Sequence, residues 1–386
     1  MLYSELGLED GMRKGERVAI LVGPNGAGKS RYLLNLAQRN RHHRKVAVIS
    51  NTAYDRFTGL RDVERISAGK GFNSPISIIK RCVQTTMAET DSRFFQIGTV
   101  LEYCKYWPRF GFRLRPGRRG DRKRSDIYFE NDIYRDLVDR IERGELSSTI
   151  WVDASSSGSR FPYRVDDMHA LLTFERFLRK DRVLRGIDIH LERRFDDREI
   201  ELHQASSGEL SLMSSMIFLV ASIRDNAVVI IDEPENSLHP NWQREYIDTV
   251  LTTLRYHDVV IVVATHAPLI VTGAIAQNSG IISVFQVEDG RPKYLKLDDA
   301  AGGGSIEEML WKAFDVVTPA SHFVSEELVG AVSKFEAGNA TKADVLDLID
   351  RMKSASFDRK QEAFLEAVSQ LVDDLDKKLS AAAGIS

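Results

Sequence analysis

The sequence predicts an α/β fold: a mixed sheet with buried parallel strands at its centre, helices around it and a helical extension behind it. Three observations carry that expectation. Val18–Val22, Val228–Ile231 and Val259–Ala264 are unbroken aliphatic runs rich in β-branched residues, as strands covered on both faces require. Each ends in a chemically loaded stretch: GPNGAGKS at Gly23–Ser30, then Asp232–Glu233, then Thr265–His266. Between the last two strands' motifs and the first, Leu210, Met213, Ile217 and Val220 recur at helical spacing.

Taken in order, Met1 to Val22 reads as a hairpin with turn signals at Asp10-Gly11 and Lys14-Gly15, its second strand Arg17 to Val22 leading into the glycine-rich loop. A helix over Tyr32 to Arg39, a basic turn and the run Val46 to Ile49 complete a strand, loop, helix, strand rhythm. Residues 57–105 show no clean period. Within them, Arg93 to Val100 places Gln96 at a strand end ahead of a helix.

From Arg109 to Arg124, eight arginines and lysines face one acid, Asp121, with three glycines interleaved. The segment reads as a flexible loop, either a contact for a nucleic-acid backbone or a solvated or protein-docking surface. A strand at Thr149 to Asp153 follows, then a hairpin of Ile187 to Arg193 with Glu199 to His203. Ile281 to Val287 and Pro292 to Leu297 form a hairpin-like pair before the break Gly302–Gly304. In the tail, Val345, Leu348, Ile349 and Met352 make one apolar stripe and Phe364, Val368, Leu371 and Leu375 another. Two such helices either pair with each other or dock a partner chain. The expected organisation is a head over residues 1–300, with an insertion lobe at about 105–205, and a helical region over 301–386.

Composition bounds the function classes. A chain of 386 residues with 43% hydrophobic content can build a sizeable core, and a net charge of −3 argues against a surface that binds nucleic acid everywhere. Cys82 and Cys104 match no metal or disulfide spacing, which suits a reduced compartment. There is no charged-then-apolar leader, and the longest apolar runs are too short to span a bilayer, so the expected place is the cytoplasm, without membrane contact.

The motifs specify phosphate chemistry. In the Walker A pattern Gly23, Pro24, Asn25, Gly26, Ala27 and Gly28 wrap backbone N–H groups around an anion, Lys29 reaches the terminal phosphates, Ser30 is a Mg²⁺ ligand, and Arg31 opens the helix behind them. Asp232 closes a buried strand, where an unoccupied carboxylate is costly, and is the second Mg²⁺ ligand. Glu233 beside it is placed to polarise the attacking water. Ser206, Ser207, Gly208 and Glu209 open a helix and read either as an ordinary cap or as a second anion site. His266 is either a surface imidazole or a neutral donor near the γ-phosphate. Gln96 is the candidate third metal contact, Gln84 a poorer one, and the expected cofactors are ATP and Mg²⁺.

In this order, GPNGAGKS, Ala205-Ser206-Ser207-Gly208-Glu209, Asp232-Glu233, the run Glu235 to Pro240 and Thr265-His266 resemble the P-loop NTPases of the ABC type in the SMC, RecF and OLD group, over roughly residues 1–300. The resemblance implies an ABC-type ATPase head that forms a homodimer, or a higher oligomer, around two nucleotides. Ser206 and Gly208 of one subunit would then contact the γ-phosphate held by the other. Two departures, ASSGE for the transporter LSGGQ and His239 for the transporter Asp, point to the OLD and RecF branch. The interval between Ser30 and Ser206 lacks the sustained heptads of SMC arms. Ser50–Phe57 (SNTAYDRF) and Gly303–Phe314 (GGSIEEMLWKAF) look similar to stand-alone ATPases of anti-phage systems such as Septu, PARIS and retron-associated operons, which work with a separate effector, often a nuclease. A RecF-like repair ATPase that clamps DNA is the alternative.

Overall fold

The computed structural model describes residue 6 and residues 17–52, 55–67, 74–88, 93–118, 120, 122–155, 162–236, 238–255, 257–295, 320–355, 365–373 and 375–377. The expected strand before Arg17, the Gly302–Gly304 break and Phe364 lie outside them.

The main sheet has seven strands: β1 (Arg17–Val22), β2 (Lys45–Ser50), β3 (Glu64–Ser67), β8 (Ala227–Asp232), β9 (Val259–Ala264), β10 (Ile282–Glu288) and β11 (Arg291–Tyr294), in the spatial order β11-β10-β1-β9-β8-β2-β3. All neighbours are parallel except the β10–β11 hairpin. The aliphatic runs do what period-two geometry demands of a strand covered twice. Val18, Ile20 and Val22 enter the core on one face with Val229, Ile231, Ile261 and Val263, while Ala19 and Leu21 enter the other with Val228, Ile230 and Val262. Helix α1 (Lys29–Asn40) covers that second face through Leu33, Leu36 and Ala37.

The first face carries α2 (Pro75–Ala88), α3 (Arg93–Tyr103) and α7 (Ser207–Ser222), and its core runs on without a break into a second, antiparallel sheet. That sheet orders β4 (Arg109–Pro116), β5 (Ile150–Asp153), β6 (Leu184–Glu192) and β7 (Glu199–Glu201) as β5-β4-β6-β7. Its helices are α4 (Asp126–Glu130), α5 (Asp132–Arg143) and α6 (Pro162–Lys180).

Two sequence expectations change here. The basic segment begins as a strand, because Phe110, Phe112 and Leu114 alternate inward while Arg109, Arg113 and Arg115 face out. Its outward arginines are ion-paired: Arg109 with Glu192, Arg113 with Glu199 at 2.7 Å and Arg115 with Asp188 at 2.9 Å. Arg122 and Arg124 both reach Glu142. Gln96 sits in the middle of α3 and not at a strand end, because Phe94, Ile97 and Leu101 follow a helical period into the core.

Helices α8 (Pro240–Leu254) and α9 (Pro268–Asn278) pack against each other between the last strands. In the tail, α10 (Ala320–Glu336), α11 (Lys342–Ala355) and the helical residues 365–373 share a separate small core of Leu328, Phe335, Val345, Ile349, Leu365 and Val372. Of the predicted stripes, Val345 and Ile349 are buried in that core and Val368 and Leu375 pack against it, while Leu371 is exposed. Both thiols are buried, which pushes Cys82 up to about 11 and Cys104 up to about 12 and leaves them unreactive. Among the described residues no helix is long and apolar enough to cross a membrane.

Candidate functional site at the carboxyl edge of the main sheet

Parallel strands in register bring their carboxyl ends to one edge. Leu21 lies opposite Ala264, Ala264 opposite Asp232, and Asp232 opposite Ser50. The loop after β1 is built of residues with positive φ: Gly23 at 142°, Gly26 at 88° and Gly28 at 96°. Gly28 is also fixed by a neighbour. The Gly290 N–H in the β10–β11 turn donates to the Ala27 carbonyl at 2.8 Å, and a Cβ on Gly28 would lie 2.8 Å from the Gly290 Cα. The hairpin expected near the end of the head thus locks the phosphate loop.

Lys29 is buried and donates to the carbonyls of Gly23 (2.7 Å) and Pro24 (3.1 Å), which holds its ammonium inside the loop. Burial lowers its pKa, opposed by the carboxylates of Glu233, Glu235 and Asp232. The Ser30 hydroxyl donates to Asp232 Oδ1 at 3.1 Å across the edge. Asp232 is 1% exposed, and burial pushes its carboxyl up to about 6, with the Ser30 bond acting the other way.

Glu233 follows at φ 52°, a left-handed backbone that costs a non-glycine residue on the order of 1–3 kcal/mol. Its N–H donates to the Ala264 carbonyl at 2.9 Å, which turns the side chain out of the strand. Asn236 then steadies the carboxylate: its amide donates to Glu233 Oε2 and to the Asn51 carbonyl, each at 3.1 Å. Asn236→Ala is expected to slow turnover about tenfold with the ATP KM nearly unchanged, since one hydrogen bond of about 1–1.5 kcal/mol positions the base. A steady-state kcat and KM comparison checks this, and an unchanged kcat would remove Asn236 from that task.

A cavity of about 390 Å³ opens over the loop, lined by residues 25–31 with Arg56, Glu233, Asp289 and Gly290. Its floor offers backbone N–H groups, an ammonium and a hydroxyl, and its rim two arginines, Arg31 and Arg56, which suits a chain of phosphates. Arg56 was not foreseen. The Mg²⁺ expectation fits the donors: a hydroxyl and a buried carboxylate with a raised pKa, both hard oxygens. Ser30 and Asp232 are the residues that would hold the ion, and among the described residues no group of three or more His, Cys, Asp or Glu could hold a metal.

Asp232 also couples this site to stability. Its carboxyl stands near 6 in the fold against an ordinary 3.8, so between those values the native chain holds more protons than the unfolded one. Metal-free stability therefore falls as pH rises through that window and stays lowered above it, by up to about 3 kcal/mol. Asp232→Asn in EDTA at pH 7.5 is expected to melt a few degrees higher while losing phosphate release. A melting temperature at or below that of the parent chain would contradict this.

The other sequence candidates do not line this cavity. Ser206 caps α7 in a reciprocal box, its hydroxyl accepting from the Glu209 N–H at 3.2 Å while Glu209 Oε2 accepts from the Ser206 N–H at 2.7 Å. The Tyr106 hydroxyl donates to Glu209 Oε1. Ser206 and Ser207 are exposed, Gly208 is buried, and none of the four lines the cavity. His266 is held by Glu235, whose Oε1 lies 2.7 Å from the His266 backbone nitrogen and 3.0 Å from Nδ1. The ring is thus anchored to Glu235 through Nδ1. Gln96 lines a different cavity, with Tyr103, Asp248 and Thr252 between α3 and α8, which removes it from the metal position. Gln84 donates to Thr173.

The glycine loop, the Ser30–Asp232 contact and Glu233 decide the class, and a family model matches the segment that holds them. The chain belongs to the AAA domain family described as putative AbiEii toxin, Type IV TA system. The match runs over residues 18–272, which takes in the AAA-domain loop Gly23–Ser30, Ser206–Glu209, Asp232, Glu233 and His266. This AAA-domain chain is therefore a P-loop ATPase of α/β architecture. A retron Vc95 probable ATPase from Vibrio cholerae is 25% identical over 150 residues, which span 36% of this chain and 28% of that protein. Among solved structures, the ADP conformation of an ATP-binding cassette of an ABC transporter is 11% identical, covering 76% of this chain and 83% of that one with a TM-score of 0.29. An Smc head domain bound to a ScpA domain from Pyrococcus furiosus is 12% identical, covering 74% and 91% with a TM-score of 0.29.

Proposed function

We propose that this chain is a Mg²⁺-dependent ATP hydrolase of the OLD-like branch, whose heads close in pairs on ATP and switch a separately encoded effector, a nuclease, in anti-phage defence. The observation that carries the catalytic part is the convergence of Lys29, Ser30, Asp232 and an Asn236-held Glu233 on one phosphate-sized cavity. Lys29 and the loop N–H groups bind the β and γ oxygens. Mg²⁺ held by Ser30 and Asp232 would offset the phosphate charge as it shifts toward the leaving group. Glu233 orients water for in-line attack on the γ-phosphorus and accepts its proton as the bond to the bridging oxygen breaks and ADP leaves. Arg31 and Arg56 on the rim add charge along the phosphates.

The paired-head part is supported by what one chain leaves undone. The exposed Ser206–Ser207 cap stands outside its own cavity with a helix N-terminus behind it, so the phosphate it suits is one held by a second copy. The relative named as a retron probable ATPase supports the defence setting. Phosphate release measured over a hundredfold range of protein concentration tests the reading: specific activity rises with concentration if two heads form the site, and a flat profile contradicts it.

A further inference from the structure

We infer that the second sheet carries a binding site for the phosphodiester backbone of nucleic acid, made by Arg118, Arg179, Arg182 and Arg185. The four come from three places in the chain: the end of the basic segment, the last turn of α6, and the turn into and start of β6. They surround one open cavity of about 470 Å³, whose remaining lining is Gly117 and Leu184. All four are exposed, and among the described residues none of their guanidiniums has a carboxylate partner. Elsewhere in the same segment Arg109, Arg113, Arg115, Arg122 and Arg124 each meet Glu or Asp.

The gathering is held by the backbone. The Gly117 N–H donates to the Val183 carbonyl at 2.8 Å, and a Cβ on Gly117 would fall 1.9 Å from the Arg182 carbonyl oxygen, so only glycine lets the two segments meet there. Arg182 sits at φ 56°, a left-handed conformation that an arginine takes at a cost. The nearby carboxylate, Asp181, is buried and turned inward, where it accepts from the hydroxyls of Ser125 (2.6 Å) and Tyr134 (2.8 Å). The C-terminal end of α6 favours a cation at Arg179, but the helix dipole does not account for the other three.

Four guanidiniums without a carboxylate partner among the described residues, on a chain of net charge −3, focus a positive field on one spot. A lone phosphate dianion offsets the charge of only two of them, and no aromatic ring is among the residues that line the cavity. Successive phosphates of a polymer, bound without regard to sequence, match that chemistry.

The test is fluorescence anisotropy of the full chain with labelled 30-mers, as duplex DNA, duplex RNA and single strands, over a salt series. The intact chain is expected to bind at least one of them with a log–log salt slope of about −3. Replacing the four by Arg118→Ser, Arg179→Ser, Arg182→Asn and Arg185→Ser should weaken binding at least tenfold and flatten the slope by about 2 or more. Asn is chosen at 182 because it tolerates positive φ. Four Arg→Lys replacements should keep the slope, and basal phosphate release and melting temperature should be unchanged in both variants. The inference falls if the intact chain binds none of the probes, or if the Ser/Asn variant binds them as the intact chain does. It falls equally if Arg113→Ser with Arg115→Ser weakens binding as much as the four do.

Discussion

Glu233→Gln is expected to lower kcat for ATP hydrolysis by about 10²–10⁴-fold while ATP still binds, because the amide keeps the shape and loses the proton acceptor. The geometry makes this a clean substitution. Glu233 is held in place by its own backbone bond to Ala264 and by Asn236, and a Gln can still meet the Asn236 amide through its carbonyl. The same variant should accumulate the ATP-bound, paired form, seen as a shift to twice the mass by light scattering with ATP and Mg²⁺. Turnover at the parent rate would take Glu233 out of the role of base.

Lys29→Ala is expected to weaken ATP binding by about 100-fold or more, since it removes charge-assisted hydrogen bonds of about 1.5–3 kcal/mol each from a buried site. Lys29 is 5% exposed and its ammonium is bonded to two loop carbonyls, so the loss also leaves Gly23 O and Pro24 O without their donor. Isothermal titration calorimetry with ATP reads the effect, and an affinity within threefold of the parent chain would overturn the assignment of the loop.

The geometry of the candidate edge was legible because it is local. A strand followed by Gly-Pro-Asn-Gly-Ala-Gly-Lys-Ser, and another that ends in Asp232-Glu233, state both the backbone shape and the charges within a few residues of one another. What stayed hidden depends on partners far along the chain. That Asn236 and Asn51 meet at Glu233, or that Glu235 holds His266, follows from the adjacency of β2, β8 and β9, which no single stretch encodes. Arg56 and Asp289 reach the cavity only once the loop after β2 and the β10–β11 turn have folded over it.

Two misreadings had a readable signal that charge and glycine obscured. In Arg109–Pro116 the apolar residues Phe110, Phe112 and Leu114 alternate strictly, which is the mark of a half-buried strand, and the cross-strand acids that neutralise its arginines sit 70 to 90 positions later. In Arg93–Tyr103 the spacing of Phe94, Ile97 and Leu101 marks a helix, and Gln96 falls within its apolar window. The tail stripes were ambiguous for a physical reason: an amphipathic helix specifies that its face is covered, not by what; Val345 and Ile349 are buried as their stripe implies, whereas in the last helix Leu365 and Val372 are buried and Leu371 is exposed.

The most direct measurement of the central idea, a site that two copies complete, is mixing. A chain with Ser206→Arg keeps its own Lys29, Ser30, Asp232 and Glu233 but loses its cap. A chain with Glu233→Gln keeps the cap and loses the base. Each alone should release little phosphate, and their mixture should recover activity, because one of the two sites in a mixed pair joins an intact catalytic edge to an intact cap. A mixture no more active than its components, or Ser206→Arg protein that hydrolyses ATP at the parent rate, would contradict it.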